Sequence, residues 1–268
     1  MMLNLFYSSI IFLFGLAVGS FLNCLIYRLK EGESFLKGRS YCPYCKHILS
    51  WQDLIPVLSF LILRGKCKYC QKSISLQYPL VELITGTLFI SIFNSQNLLV
   101  TGYLLLVTCF LIVIFVYDLK HYIIPDKVIY PVIGIVFLYR LFEIFGFILD
   151  SGFKTSYFKT LTNPFFSALL ASIFFLAIVL VSQGKWMGVG DIKLAFFMGL
   201  FLGWPNILVA LFLAFLIGAI IGVGLMISGK RTLKSEIPFG PFLVTGTFLA
   251  LFWGSSITNW YLSLFFGI

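Results

Sequence analysis

Asp191 is the residue of this sequence whose surroundings most clearly indicate chemistry. It is the only acid in the stretch GKWMGVGDIK (residues 184–193), which lies between two apolar runs, and Gly188 and Gly190 precede it. Glycine has no Cβ, so the backbone here can turn sharply and another chain can come close. An acid at the end of a membrane helix indicates a functional site. A structural alternative is open, because Asp191 could be the N-cap of the helix that follows.

Asp118 is the partner that the sequence offers for Asp191. It lies in the stretch YDLKHYIIPD (residues 117–126), at the end of another apolar run. Two carboxyl groups a few ångströms apart cannot both ionise easily, so such a pair shares one proton. The ionised member can take a proton from water while the protonated member donates one to a carbonyl oxygen. The pair therefore predicts aspartyl protease chemistry.

Other interpretations of these acids remain open. Asp126 is a rival for the position of Asp118, although its place just before the next apolar run suits a helix N-cap, and we rank it as a supporting residue. Asp118 and Asp191 could also serve only as caps, or as partners of Lys120 and Lys193. The sequence contains no Gly-x-Ser-x-Gly motif, and neither histidine lies in a zinc-protease motif.

Four of the six cysteines form a metal-binding pattern. Cys42 and Cys45, and then Cys67 and Cys70, are two C-x₂-C pairs with 21 residues between them, which is close to the spacing of zinc ribbons. Four thiolates in a tetrahedron suit Zn²⁺ and leave no position for a catalytic water, so the metal would be structural. Two disulfides are the alternative. Thiols stay reduced in the cytoplasm, and the distribution of basic residues described below places this segment there. His47 could replace one ligand.

The composition is that of a polytopic membrane protein. Of the 268 residues, 60% are hydrophobic and 11% are charged, whereas soluble domains carry about 25% charged residues. Eight apolar runs are predicted to span the membrane as helices, and this makes the fold all-α. They cover approximately residues 3–27, 79–93, 98–117, 127–149, 164–182, 192–204, 206–227 and 241–263.

The same pattern predicts three parts of the chain. Residues 1–27 form the first transmembrane helix. Residues 28–78 form a small zinc-ribbon-like insert, which needs a metal or disulfides because it is too small for much of a core. Residues 79–268 form a membrane domain of about seven helices, and the two acids within it make it a candidate peptidase domain.

The basic residues predict the orientation. An excess of Lys and Arg marks the cytoplasmic side, and 16 of the 19 lie in the segments 28–78, 118–127, 183–193 and 228–240. They are Arg28, Lys30, Lys37, Arg39, Lys46, Arg64, Lys66, Lys68, Lys72, Lys120, Lys127, Lys185, Lys193, Lys230, Arg231 and Lys234. Both termini are therefore expected outside, with the cysteines, Asp118 and Asp191 at the cytoplasmic face. This asymmetry accounts for the net charge of +9 without nucleic acid as a partner.

Three basic residues fall elsewhere. Lys154 and Lys159 lie in a segment that is predicted to be outside, and Arg140 lies within a predicted span. Arg140 and Glu143 are three residues apart, so they share a helix face and could form a structural ion pair.

Six short motifs appear in an order that resembles the bacterial type IV prepilin peptidases. They are GSFLN (residues 19–23), the two cysteine pairs with DLIP (53–56) between them, YPLVE (78–82), YD to PD (117–126), GVGDIK (188–193) and PFGP (238–241). The resemblance runs nearly from end to end of the chain.

The resemblance implies a function and its site. It implies cleavage of a short basic leader from prepilins and pseudopilins, after a glycine, at the cytoplasmic face of the inner membrane, in pilus assembly or protein secretion. Asp118 and Asp191 map to the catalytic pair of the family, with Gly188 and Gly190 as supporting residues.

The resemblance also implies a second reaction, methylation of the new N-terminus with S-adenosylmethionine. The sequence carries no Rossmann-type glycine fingerprint, so the methyl donor must be held in another way. Asn23 and Glu82 are weak candidates. Prepilins and membrane lipid are the expected partners. A peptidase without methyltransferase activity, or a non-enzymatic zinc-ribbon scaffold or transporter, are the alternatives.

Overall fold

The computed structural model describes residues 2–34, 38–94, 96–151, 156–229 and 237–266, and within these ranges its regular elements are helices joined by turns and loops, with two isolated β-bridges. The predicted all-α class is confirmed. The helices are α1 (Met2–Glu31), α2 (Leu58–Ile62), α3 (Gln77–Ile92), α4 (Leu98–His121), α5 (Asp126–Ser151), α6 (Ser156–Ser182), α7 (Val189–Leu202), α8 (Asn206–Ile227) and α9 (Gly240–Phe266).

Six of the helices in the described ranges are long and apolar enough to cross a membrane, namely α1, α4, α5, α6, α8 and α9. The protein is therefore a multi-pass membrane protein. The other two predicted spans correspond to α3, with 16 residues, and α7, with 14 residues. At 1.5 Å per residue they are about 24 and 21 Å long, shorter than a hydrocarbon core of about 30 Å. The prediction of eight spans is not confirmed.

The chain divides into two compact units, residues 1–113 and 114–268. In the first unit, α1 packs along α3. The helices approach closely because Gly15 faces Gly86, where a Cβ atom on Gly15 would lie only 2.7 Å from the Gly86 Cα atom. Helix α1 runs to Glu31 and α3 begins at Gln77, so the predicted insert occupies the loops and short helices between them.

In the second unit, α7 is the central element, since it packs against α5, α6, α8 and α9. Its side chains at Leu194, Ala195 and Phe197 are fully buried. Gly199 lets α6 come close, because a Cβ atom there would lie 2.5 Å from the Ala168 Cα atom. A short helix surrounded by long ones is apolar on every face, which is the pattern of a buried helix.

Arg140 of α5 anchors the far end of α7. Its guanidinium donates hydrogen bonds to the carbonyl oxygens of Leu200 (3.1 Å) and Phe201 (2.6 Å), and its Nη1 lies 2.7 Å from Glu143 Oε2. The predicted Arg140–Glu143 pair is confirmed. Arg140 does more than form this ion pair. Carbonyl groups in the last turn of a helix have no hydrogen-bond partner within the helix, and the Arg140 guanidinium supplies one for two of them.

Part of the charge pattern used for the orientation lies outside the described residues, namely Lys37, Lys154, Lys230, Arg231 and Lys234. The orientation therefore stays a prediction.

Candidate active site

Asp118 lies in the last turn of α4 and is buried, with 4% of its surface exposed. Its Oδ2 atom accepts a hydrogen bond of 3.0 Å from the backbone N–H of Gly240, the first residue of α9. The N-terminus of a helix carries partial positive charge, so α9 stabilises a negative charge on this carboxylate.

Gly240 belongs to this candidate site, although the sequence alone identifies it only as part of the PFGP motif. A Cβ atom at this position would lie 2.5 Å from Asp118 Oδ2, so only glycine lets the N–H come this close. The preceding Phe239 packs its ring against the rings of Phe175 (6.1 Å between centroids) and Phe215 (4.9 Å), which fixes the start of α9. The PFGP motif was the signal, but without the packing it did not point to Asp118.

Asp191 is the third residue of α7 and is 7% exposed. Its Oδ2 atom accepts a hydrogen bond of 3.2 Å from the Gly188 N–H, and its own N–H donates to the Gly188 carbonyl at 3.1 Å. The N-cap of α7 is therefore Gly188, and the hypothesis that Asp191 is the N-cap is wrong. Asp191 still contributes to the start of the helix by the reverse hydrogen bond, and its carboxylate lies at a helix N-terminus as that of Asp118 does.

Gly190 brings the connection between α4 and α5 against the first turn of α7. A Cβ atom on Gly190 would lie 3.1 Å from the Ile124 Cβ atom. The connection begins four residues after Asp118, so this contact ties the segment that follows Asp118 to the first turn of α7. Both aspartates are buried, and both belong to the second unit. Gly188, in contrast, is exposed at the surface of the unit.

Asp126 lies in a different environment from the two buried acids. It is the first residue of α5, its side chain is 59% exposed, and Lys193 Nζ lies 2.6 Å from its Oδ1 atom. Lys193, one of the two lysines that the sequence offered to the dyad, thus makes its ion pair with Asp126. The burial of Asp118 and the exposure of Asp126 favour Asp118 as the partner of Asp191.

The two buried carboxyl groups form an arrangement that can hold and pass a proton. The hydrogen bonds described for each are single ones from a backbone N–H, so free lone pairs remain on both. A carboxylate that is saturated by cations or by several N–H donors stays ionised, whereas a pair with one donor each is able to share a proton. The geometry therefore suits general acid and base work by the pair.

The four cysteines that the sequence singled out as ligands converge in the first unit. The Sγ atoms of Cys42, Cys45, Cys67 and Cys70 all lie within 4.8 Å of one another, and those of Cys42 and Cys70 are 3.9 Å apart. Zn–S bonds of about 2.3 Å in a tetrahedron place sulfur atoms about 3.8 Å apart. The cluster therefore fits Zn²⁺.

The two cysteine pairs are held by turns of the same geometry. The N–H of Lys46 donates to the Cys42 carbonyl at 2.9 Å, and the N–H of Gln71 donates to the Cys67 carbonyl at 3.0 Å. Lys46 and Gln71 each follow the second cysteine of a pair, and their φ angles are 57° and 58°. This turn aims both sulfurs of a pair at the same point.

The thiols differ in their readiness to ionise. Burial raises the pKa of Cys42, but hydrogen bonds from the backbone N–H groups of Cys45 and Tyr44 outweigh it and lower that pKa to about 7. The backbone N–H of Lys72 lowers the pKa of Cys70, but burial and the crowding of the other three thiols raise it to about 11. Four thiolates so close together need a cation between them. His47 stacks on Tyr69 with 3.6 Å between ring centroids and is not one of the converging groups.

The weak candidates for methyl transfer, Asn23 and Glu82, are both buried. The Asn23 side chain donates to the Tyr78 carbonyl at 3.0 Å and accepts from Gln77 Nε2 at 3.0 Å. Glu82 Oε2 accepts a 2.7 Å hydrogen bond from the N–H of Val57, a residue with a φ of +60°. Their polar atoms thus hold α1, α3 and the turn at Val57 together.

Comparisons with known proteins identify the family to which the chain belongs. Residues 13–95 match the bacterial peptidase A24 N-terminal domain, and residues 105–223, which include Asp118 and Asp191, match the type IV leader peptidase family. A protein of Aeromonas hydrophila named prepilin leader peptidase/N-methyltransferase is 35% identical over 97% of this chain and 95% of its own length. A protein of the same name from Bacillus subtilis is 32% identical over 97% of this chain and 99% of its own.

A third protein of that name, from Pseudomonas aeruginosa, is 33% identical over 93% of this chain and 91% of its own length. No solved structure matches the chain. With matches of this identity along nearly its whole length, the chain belongs to the type IV leader peptidase family and is an enzyme of the prepilin peptidase class.

Proposed function

We propose that this enzyme cleaves prepilins and pseudopilins with Asp118 and Asp191 as an aspartyl dyad. The observation that carries the proposal is that both acids are buried and that each accepts a hydrogen bond from a backbone N–H at the start of a helix, Gly240 for Asp118 and Gly188 for Asp191. Both lie in the segment that matches the leader peptidase family. The exposed, ion-paired Asp126 is a less suitable member of the dyad.

The dyad works through one shared proton. The ionised carboxylate takes a proton from a water molecule, whose oxygen attacks the carbonyl carbon of the scissile peptide bond. The protonated carboxyl donates its proton to the carbonyl oxygen. As the C–N bond of the resulting diol breaks, the proton first taken from water passes to the leaving amine. One diol hydroxyl gives its proton to the carboxylate that donated earlier, which restores the shared proton of the dyad. The Gly240 and Gly188 N–H groups stabilise whichever carboxylate is charged.

The scissile bond follows a glycine and is presented at the cytoplasmic face of the inner membrane. Three observations support this location: the distribution of Lys and Arg along the sequence, the position of Asp118 in the last turn of α4, and that of Asp191 in the first turn of α7. Side chains at helix ends lie near a membrane interface, whereas the acids of a transporter lie near the bilayer centre. The exposed backbone at Gly188 offers an extended substrate room to approach.

The second activity is methylation of the new N-terminal amine, with S-adenosylmethionine as the methyl donor. The names of the relatives support it. The hydrogen bonds of Asn23 and Glu82 to neighbouring segments suit a supporting role, in which they order the end of α1 and the turn at Val57 rather than contact the methyl donor. The cysteine cluster is proposed to hold a structural zinc ion.

The test uses the full-length protein in lipid nanodiscs with a prepilin that has a basic leader. Cleavage after the glycine, measured by mass spectrometry, is expected for the native chain. A product heavier by one methyl group is expected when S-adenosylmethionine is present. Cleavage without the added methyl group would favour a peptidase without methyltransferase activity, and the absence of both would contradict the proposal.

A further inference from the structure

An ion pair beside the dyad joins the two elements that carry the aspartates. Lys193 Nζ lies 2.6 Å from Asp126 Oδ1 and 4.9 Å from the centroid of the Tyr130 ring. Lys193 is two residues after Asp191 on α7, and Asp126 opens α5, directly after the connection from α4. The pair therefore connects the first turn of α7 to the far end of that connection.

The connection itself has little freedom to adjust. It is four residues long, between His121 and Asp126. Tyr122 has a φ of 58° and donates its N–H to the Asp118 carbonyl at 2.8 Å, and Pro125 fixes its own φ. A shift at Asp126 is therefore passed back along the chain toward Asp118.

A second contact joins the same two segments. Ile124 packs against Gly190, as described above, and its side chain is buried. Along α7, the apolar contact is made by Gly190, just before Asp191, and the ion pair is made by Lys193, two residues after it. Together they fix both the distance and the rotation of the first turn of α7 relative to the connection.

We propose that Asp126 and Lys193 are positioning residues that set the separation of the Asp118 and Asp191 carboxyl groups. The inference rests on the proposed function, because it assigns the two residues a role through the dyad. Neither residue takes a proton from water or from substrate. They form a clamp that keeps the two reacting carboxyls at the distance at which one proton is shared.

The exposed pair contributes little to folding stability, because solvent screens it. The position of catalytic groups has a much larger effect on rate, since a displacement of about 1 Å can reduce it roughly 100-fold. Removal of the clamp should therefore reduce kcat by about tenfold to 100-fold and leave KM and the melting temperature nearly unchanged.

The experiment measures kcat, KM and melting temperature for full-length protein in nanodiscs with a prepilin substrate. The variants are Asp126→Asn, Lys193→Met, Lys193→Arg and the double exchange Asp126→Lys with Lys193→Asp. Lys127→Met is the matched control, because it removes an exposed lysine next to Asp126. The two single neutral variants should have a reduced kcat, whereas Lys193→Arg should retain most of the native kcat. The double exchange should restore much of the kcat that the single variants lose. The control should have the same kcat as the native enzyme.

Three results would overturn the clamp. The first is a full kcat in both neutral variants. The second is an inactive Lys193→Arg together with a double exchange that folds stably but does not recover kcat. The third is a raised KM at unchanged kcat, with the size of the change depending on the charge of the leader. The last result would make these residues part of leader binding. Asp118→Asn and Asp191→Asn, measured in parallel, separate the two proposals, because cleavage by either variant would contradict the dyad itself.

Discussion

The cysteine cluster and the aspartate pair differ in how their polar atoms are satisfied. In the first unit, four sulfur atoms converge on one point and leave no ligand position open. In the second unit, two aspartates that are 73 residues apart in the sequence each have a single backbone N–H donor described. A saturated set of ligands gives stability, and an unsaturated pair of acids gives reactivity. The difference favours the aspartate pair as the site of the proposed chemistry.

Removal of the metal should have the largest effect, and it is expected to be confined to the insert. Structural zinc contributes about 10–16 kcal/mol of binding free energy in small zinc modules. Purified protein should contain one zinc ion per chain, and Cys42→Ser with Cys67→Ser should abolish it. Limited proteolysis should then cut between Gly38 and Leu76. Zinc-free protein with a protease-resistant insert would contradict the Cys₄ interpretation.

Removal of either acid of the dyad should abolish catalysis and leave the fold intact. General acid–base groups contribute about 10²–10⁴-fold to rates, so Asp118→Asn and Asp191→Asn should each lose at least that factor in kcat. Gel filtration and circular dichroism check that the variants are folded. Glu33→Gln, which removes an acid in the other unit that accepts a hydrogen bond from Tyr41, is the control. An inactive Asp126→Asn with an active Asp118→Asn would show that the wrong acid was chosen.

A methyl group at Gly240 should produce an intermediate effect. It would collide with Asp118 Oδ2, so Gly240→Ala should displace the carboxyl and lower kcat by about tenfold to 100-fold. Gly222→Ala on α8 is the matched control, because a Cβ atom there meets no other atom within 4 Å. Equal rates for the two variants would mean that the hydrogen bond from Gly240 does not position Asp118.

The smallest effect is expected at Asp53 in the insert. Burial raises the pKa of this carboxyl, but hydrogen bonds from the Ser50 hydroxyl and N–H and from Tyr69 outweigh it, so its pKa is lowered. A lowered pKa in the folded state contributes stability above the ordinary value of about 4, and this contribution is lost as pH falls through the lowered pKa. Asp53→Asn should destabilise the insert by about 1 kcal/mol at neutral pH. Thermal unfolding at pH 7 and pH 3 measures the difference, which should shrink at the lower pH.

The sequence predicts the cysteine cluster and the dyad for different reasons. The ligands of the cluster lie within a stretch of 29 residues, so local spacing is sufficient to identify them. The pairing of Asp118 with Asp191 needs the additional assumption that two helix ends lie at the same side of the membrane. That assumption comes from the charges in the loops, and the structure then places both acids buried in one unit.

Other parts of the site could not be predicted, because they depend on packing between distant segments. Gly240 lies 122 residues from Asp118, and nothing in its local sequence indicates where its N–H points. Lys193 has one acid two residues away and another 67 residues away, and only the packing of α5 on α7 shows that Asp126 is its partner. Hydropathy likewise detects that α7 is apolar but cannot show that its neighbours, rather than lipid, surround it.

Arg140 fixes the last turn of α7, so the length of this helix determines where Asp191 lies at its other end. Leu200 and Asp191 are nine residues apart, so the anchored carbonyl and the proposed catalytic acid are separated by about 14 Å of helix at 1.5 Å per residue. One inserted or deleted residue would move Asp191 by about 1.5 Å along the axis and turn it by about 100°. In the proposed active site, the length and phase of α7 therefore set the position of Asp191.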